Sequence, residues 1–226
     1  MRLSNRDQEM NVTQRIQKIV NDPTTYPVFT SNADNAILTF TNISPNVNRF
    51  GKYTEKSFSS NTRVMAEYII RLMDGLGDPR LVIYARQQNN EWKGLPSGYP
   101  TTETINDGSA TLNKEVLGDY TSPSTYMRYD EVLFIFAEAM QRGWIAGDAG
   151  TYYRNAIRAS VKYWDGVAES LTIPDVVIEN FLANVPYDGT LETIIDQKYV
   201  ALFWVGYEAW AEYRRTGYPA LEIGSG

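Results

Sequence analysis

The stretch YDEVLFIFAEAMQRGWIAGDAGTYYRNAIRASVKYW (residues 129–164) decides the fold. Tyr129, Val132, Leu133, Phe136, Ala137 and Met140 recur at i, i+3, i+4, i+7, i+8 and i+11, which is one apolar stripe of an α-helix. Tyr153, Ala156, Ile157, Ser160, Val161 and Trp164 repeat that template with one small polar residue. Between the stripes lie Gly143 and Gly147, residues that stop a helix. The spacing predicts antiparallel helices over 129–142 and 148–164, joined at 143–147, with Phe136 and Ile157 buried in one core. Such a hairpin is the unit from which tetratricopeptide-like solenoids are stacked, and its length of about 36 residues is near that period. No clean second copy of the pattern occurs elsewhere in the chain.

Working outward, Met65, Tyr68, Ile69, Leu72, Met73 and Leu76 form a third stripe, with Ser60 and Asn61 as candidate caps and Gly75, Gly77 and Pro79 as the stop. A last helix is predicted over 191–215, apolar on nearly every side around 199–207, with Arg214 and Arg215 placed where cations suit the helix dipole. Weaker helical patterns cover about 3–20 and 174–183. The reading is a mainly α chain organised over 1–226. Its helical scaffold lies at about 1–21, 61–76, 129–164 and 174–216. Long irregular loops lie at about 22–59, with a short strand near 37–40, and at about 87–125. Loops this long in a compact domain are functional or disordered. The second carries Trp92, Tyr99, Tyr120 and Tyr126, which a disordered linker would lack, so it reads as an ordered elaboration over the helices.

Composition narrows the chemistry. The 226 residues carry 21 Lys+Arg against 27 Asp+Glu, a net charge of −6 that disfavours a general nucleic-acid binder. With neither Cys nor His, the chain has no thiol nucleophile, disulfide, imidazole or thiolate metal ligand, or His-dependent triad. No cofactor, metal or catalytic residue is expected. The most apolar run, 199–205, is far shorter than the roughly 20 residues that span a bilayer.

Two readings compete for the 87–125 loop. Glu91, Glu103, Asp107, Glu115 and Asp119 invite a glycosidase, which needs two facing carboxylates, one with a raised pKa. Solvated surface charge explains them more simply in a chain with 27 acids. The aromatic residues are the positive signal. A sugar ring presents an apolar C–H face and a rim of hydroxyls, so its site needs a flat ring with polar groups beside it. Gln87, Gln88, Asn89, Asn90 and Glu91 directly precede Trp92, and Tyr99 follows a glycine-bounded turn. The candidate ligand site is therefore Trp92 and Tyr99 as an aromatic platform, with Asn89, Asn90 and Arg86 supplying hydrogen bonds. The alternative is that Trp92 pins the loop onto the helices.

The 129–164 stretch resembles the signature of the SusD/RagB family of outer-membrane nutrient-binding lipoproteins. QKYVALFWVGYEAWAEYRRTGYPAL (197–221) is similar to the family's second landmark. Asp78-Pro79-Arg80-Leu81, Trp92-Lys93-Gly94-Leu95-Pro96-Ser97-Gly98 and SFSSNTRVMAEYII (57–70) resemble its middle segment. The landmark residues Glu138, Arg142, Gly143, Trp144 and Gly147, and Trp210, Glu212, Arg214 and Arg215, read as structural. They fix the hairpin and lock the last helix through packing and bidentate pairs. Trp144, Trp164, Trp204 and Trp210 lie on or beside helical stripes and are expected in the core. The resemblance covers roughly the C-terminal half of the family, so the native gene product is expected to extend before Met1. It implies a helical scaffold on the extracellular face of a Gram-negative outer membrane, tethered by a lipid anchor absent from this chain. It also implies a SusC-like TonB-dependent transporter as partner. The implied role is capture of glycans, as oligosaccharide or polysaccharide, or of other oligomeric nutrients, and their delivery without catalysis. A protein-binding helical scaffold and a carboxylate-dependent glycosidase are the alternatives.

Overall fold

The apolar periodicities become helices along most of the chain. The computed structural model describes residues 1–53, 64–98, 108–168 and 171–221. The α-helices in order are α1 (Asp7–Met10), α2 (Val12–Asn21), α3 (Arg49–Tyr53), α4 (Glu67–Leu76), α5 (Leu81–Tyr84), α6 (Lys114–Leu117), α7 (Tyr129–Gln141), α8 (Ala149–Val167), α9 (Asp175–Asn184), α10 (Leu191–Ala201) and α11 (Gly206–Thr216). The strands are short pieces: β1 (Ala36–Leu38), β2 (Ala85–Arg86), β3 (Thr111–Leu112) and β4 (Ser124–Met127). The chain divides into two units. One comprises Met1–Ala36, Thr125–Ser160 and Val185–Ala220, the other Ile37–Ser124, Val161–Asn184 and Leu221–Gly226.

In the first unit α7 and the start of α8 form where the two stripes place them, with a tight turn between. Asp130 and Glu131 occupy the first turn of α7, where negative charge suits the dipole. Its end is a Schellman motif: Gly143 takes φ +70°, its amide bonds the Met140 carbonyl at 2.9 Å, and the Trp144 amide bonds Ala139 at 2.9 Å. Trp144 packs against the cluster of Val12, Ile16 and Ala139. Asp148 opens α8 by accepting from the amides of Gly150 (3.2 Å) and Thr151 (3.0 Å).

The stripe on α7 is wider than the sequence suggests. Ile157 is fully buried, but Phe136 is only half-buried, its ring edge-on to Tyr152 at 5.9 Å. Phe134 is buried in its place. The reason is that α7 is covered on more than one side, by α10 and by α2, so burial passes from Val132 through Phe134 to Ala139.

The predicted 191–215 helix is two helices. After Ala201 the chain tightens into i→i−3 bonds, Phe203 to Val200 at 3.1 Å and Val205 to Leu202 at 2.9 Å, and Trp204 takes φ +70°. Buried Arg128, paired with Asp130 at 2.7 Å, also donates to the Ala201 carbonyl, a partner for a group the helix end leaves unbonded. The apolar run thus marks a corner, and the face beyond it is open: Tyr207 is 91% and Trp210 59% exposed. Trp210, expected in the core, instead lies under the Arg214 guanidinium at 4.9 Å. Trp164 is buried, while Trp144 and Trp204 are half-buried. The predicted 3–20 helix is likewise interrupted, at Asn11, which sits at φ +51° between α1 and α2.

The landmark charges close this unit. Glu138 accepts both Arg215 Nη1 (2.5 Å) and Nη2 (2.6 Å), and Arg142 Nε at 2.8 Å. Glu212 takes Arg215 at 2.5 Å and Lys198 at 3.2 Å. One buried network therefore ties α7, α10 and α11 together.

In the second unit, Arg80 and Asp78 form a fully buried pair (2.5 and 2.9 Å), with Arg80 5.8 Å from the Phe181 ring. Tyr84 meets Trp164 edge-on at 4.8 Å. β2 and β3 pair antiparallel, Ala85 opposite Leu112 and Arg86 opposite Thr111. The third stripe begins its helix at Glu67, later than the sequence indicates. Residues 64–66 are extended, with Val64 bridged to Thr111 and Ala66 to Leu95. The candidate caps Ser60 and Asn61 lie outside the described residues.

Candidate functional site

The Trp92 region is built by backbone. From β2 the chain enters a tight turn in which Gln88 and Glu91 bridge, the Glu91 amide bonding the Gln88 carbonyl at 3.0 Å. Asn89 (φ +53°) and Asn90 (φ +61°) are the two central residues, the type I′ pattern that asparagine tolerates. The next residues cross the start of α4. Lys93 O accepts from Ala110 (2.6 Å), Leu95 N donates to Met65 O (2.8 Å), and Glu67 N donates to Leu95 O (2.8 Å). Gly94 is obligatory here: a Cβ would stand 2.3 Å from Glu67 Cα and 2.6 Å from its nitrogen.

Trp92 is half-buried and lines a groove of about 530 Å³. The opposite wall is the solvent face of α4, with Glu67, Arg71 and Asp74 at i, i+4 and i+7. Lys93 and Pro96 complete the rim. Three backbone hydrogen bonds, one at Lys93 and two at Leu95, hold the segment that follows Trp92.

The structure distributes the other predicted site residues along the same hairpin. Asn89 and Asn90 are exposed at its tip. Arg86 donates to Asn113 Oδ1 at 3.2 Å and pairs with the Glu115 carboxylate. None of these three lines the Trp92 groove, and Tyr99 lies outside the described residues. Arg71 and Asp74 escaped the sequence reading, which followed only the apolar face of α4. Their i, i+3 offset on the complementary face was the signal available.

A second groove of about 420 Å³ is lined by Glu115, Asp119, Thr121, Ser122 and Gly166, among others. Asp119 accepts the Thr121 hydroxyl (2.6 Å) and amide (2.7 Å), which hold its carboxyl below the usual range. A general acid needs the opposite shift. Glu91 is exposed, and Glu103 and Asp107 lie outside the described residues. Among the described residues, burial raises the carboxyl pKa of Glu131 on α7 and of Asp196 on α10. Burial, then Glu192 and Asp188, push Asp196 up to about 6, and neither Asp196 nor Glu131 lines either groove. Among the described residues no cluster of acidic side chains is arranged to hold a metal ion, and no helix is long and apolar enough to cross a membrane.

Comparison with known proteins places this architecture. No curated protein matches the chain. Among solved structures, a SusD homologue from Bacteroides fragilis NCTC 9343 superposes with a TM-score of 0.85 at 26% identity, over 99% of this chain and 53% of that one. A chitin-binding protein superposes at 0.80 and 23% identity, over 98% and 51%. An outer-membrane protein of Bacteroides vulgatus ATCC 8482, named for nutrient binding, does so at 0.79 and 24%, over 100% and 55%. The chain thus spans about half the length of these relatives. The sequence profile of the SusD-like family described as "starch-binding associating with outer membrane" matches residues 1–226, and the chain belongs to that family.

Proposed function

We propose that the chain is part of a cell-surface receptor that binds glycans, or other oligomeric nutrients, at the outer membrane and delivers them to a SusC-like TonB-dependent transporter without catalysis. Membership of a family described as starch-binding supports the ligand class and the membrane. The observation that carries the reading to this chain is Trp92: a half-buried ring on a backbone-pinned segment, facing an open groove. In this proposal Trp92, and Tyr99 beyond it, stack on sugar faces, while Asn89, Asn90 and Arg86 on the same hairpin meet hydroxyls of a longer oligomer. In this proposal the receptor sits on the extracellular face, held by a lipid anchor. One stacked sugar contributes only about 1–2 kcal/mol at about 25 cal/mol per Å², so an oligomer should bind more tightly than a monosaccharide.

Titration calorimetry with maltohexaose, chitohexaose and their monosaccharides tests this. Saturable binding of a hexaose, weaker binding of its monomer and no release of reducing ends support the reading. Absence of binding to any oligosaccharide, or turnover of one, overturns it.

A further inference from the structure

We propose that the outer face of α11 is a self-association surface, on which a second copy of this chain seats its own α11 antiparallel to the first. The inner face of the helix is already filled: Glu208 pairs with Arg2, and Glu212 and Arg215 enter the buried network. On the other side Tyr207, Trp210, Ala211 and Arg214 fall at i, i+3, i+4 and i+7, one stripe of an α-helix. A helix with a single face to bury carries polar side chains on the opposite one. Here that opposite stripe holds the two exposed aromatic rings of the helix, so α11 is patterned for burial on both sides.

The stripe is complementary to itself. About a two-fold axis between positions 210 and 211, antiparallel helices set Tyr207 opposite the partner's Arg214 and Trp210 opposite the partner's Ala211, and symmetry makes each pairing twice. A bulky ring then meets a small side chain. Each Arg214 guanidinium, which lies 4.9 Å from the centre of its own Trp210 ring, gains the partner's Tyr207 as a second aromatic face, a favourable cation–π arrangement. Parallel helices would instead set Arg214 against the partner's Arg214, so like-charge repulsion selects the antiparallel register. Positions 207 to 214 span only about 10 Å of helix. Two rings and a guanidinium bury on the order of 400 Å² per copy, about half of a standard interface. The dimer should therefore be weak, with a Kd on the order of 100 μM.

Sedimentation equilibrium of the chain from about 5 to about 500 μM tests this. The mass should rise from monomer to dimer, and Tyr207→Ala, Trp210→Ala and Arg214→Glu should each raise the Kd by at least about tenfold. Circular dichroism checks folding, and Tyr207→Ala keeps the test valid if another variant folds poorly, because that ring is almost wholly exposed. The chain has no cysteine, so an introduced one reports the register. A short bismaleimide should join two Ala211→Cys chains, which face each other beside the axis, and leave chains with Asn184→Cys, exposed on α9, unjoined. A wild-type chain that stays monomeric throughout, a dimer indifferent to all three variants, or no cross-link at Ala211→Cys overturns the proposal. So does loss of maltohexaose binding in Tyr207→Ala or Trp210→Ala with no change in mass, which would give this face to the ligand instead.

Discussion

Replacing Glu138 by glutamine should cost far more than loss of a single hydrogen bond. Glu138 and Glu212 are matched by Arg215 and Lys198, with side-chain exposures of 0%, 7%, 3% and 2% respectively. Two negative and two positive charges lie in the buried network, and Glu138→Gln leaves one cation unmatched. The guanidinium also exchanges a two-oxygen acceptor at 2.5 and 2.6 Å for an amide that offers one oxygen and turns an NH2 toward it. Removing one member of a buried pair costs about 3–5 kcal/mol. At roughly 2–4 °C per kcal/mol for a chain of this size, the melting temperature should fall by roughly 6–20 °C. Urea denaturation followed by far-ultraviolet circular dichroism reads the loss directly. Arg142→Gln is the control, because Arg142 touches the same carboxylate but is 27% exposed, and it should cost no more than about 1 kcal/mol. Equal, small losses in the two variants would refute the idea that α7, α10 and α11 are locked by this cluster. The network also carries a pH signature. Burial pushes Glu212 up, but Lys198 and Arg215 together outweigh it and hold its carboxyl below the usual range. Its stabilising share is therefore complete above the ordinary glutamate pKa and is lost only as pH falls through the depressed value.

Two further outcomes follow from single positions. Asp196, raised to about 6 by burial and then by Glu192 and Asp188, has an Oδ1 with no hydrogen-bond partner. The folded state holds this proton more tightly than the unfolded state, so stability declines as pH rises from about 4 to about 6. Asp196→Asn should gain on the order of 1 kcal/mol at neutral pH after allowance for solvent screening, and nothing below about pH 4. Loss of stability at neutral pH would mean that the carboxylate is favourably placed. Gly94→Ala should cost about 1–3 kcal/mol, because the added methyl meets the Glu67 backbone at 2.3 Å. Retention of wild-type stability on thermal melting would show that α4 and the Trp92 segment are not in the close approach described.

The helix hairpin was legible because its two stripes are bounded by glycines with a stereochemical task, Gly143 at φ +70° being the clearest. The Glu138–Arg215 pairing spans 77 positions, and only the family resemblance singled out both residues. Periodicity failed where burial is two-sided or where the chain turns without glycine. Phe136 and Phe134 cannot be ranked on a helix covered by two neighbours. The corner at Trp204 lies inside an unbroken apolar run, and its stabilising donor, Arg128, is 73 residues away. At the candidate site, Trp92 was visible as an aromatic beside polar residues. The wall opposite it was not, because the approach of α4 to residues 93–95 is set by strand-like bridges that leave no local pattern. Asn89 and Asn90 attracted notice as hydrogen-bonding groups, and their positive φ angles give a second, conformational reason for asparagine there.

The central claim is that Trp92 offers its ring to a ligand, and one variant measured two ways tests it. Trp92→Ala should weaken hexaose binding by roughly tenfold, about 1.4 kcal/mol, while the melting temperature stays nearly unchanged, because Ala110, Met65 and Glu67 hold the segment through its backbone. Unchanged affinity together with a loss of about 3–5 kcal/mol, the cost of removing a core aromatic, would contradict the account and make Trp92 a packing residue.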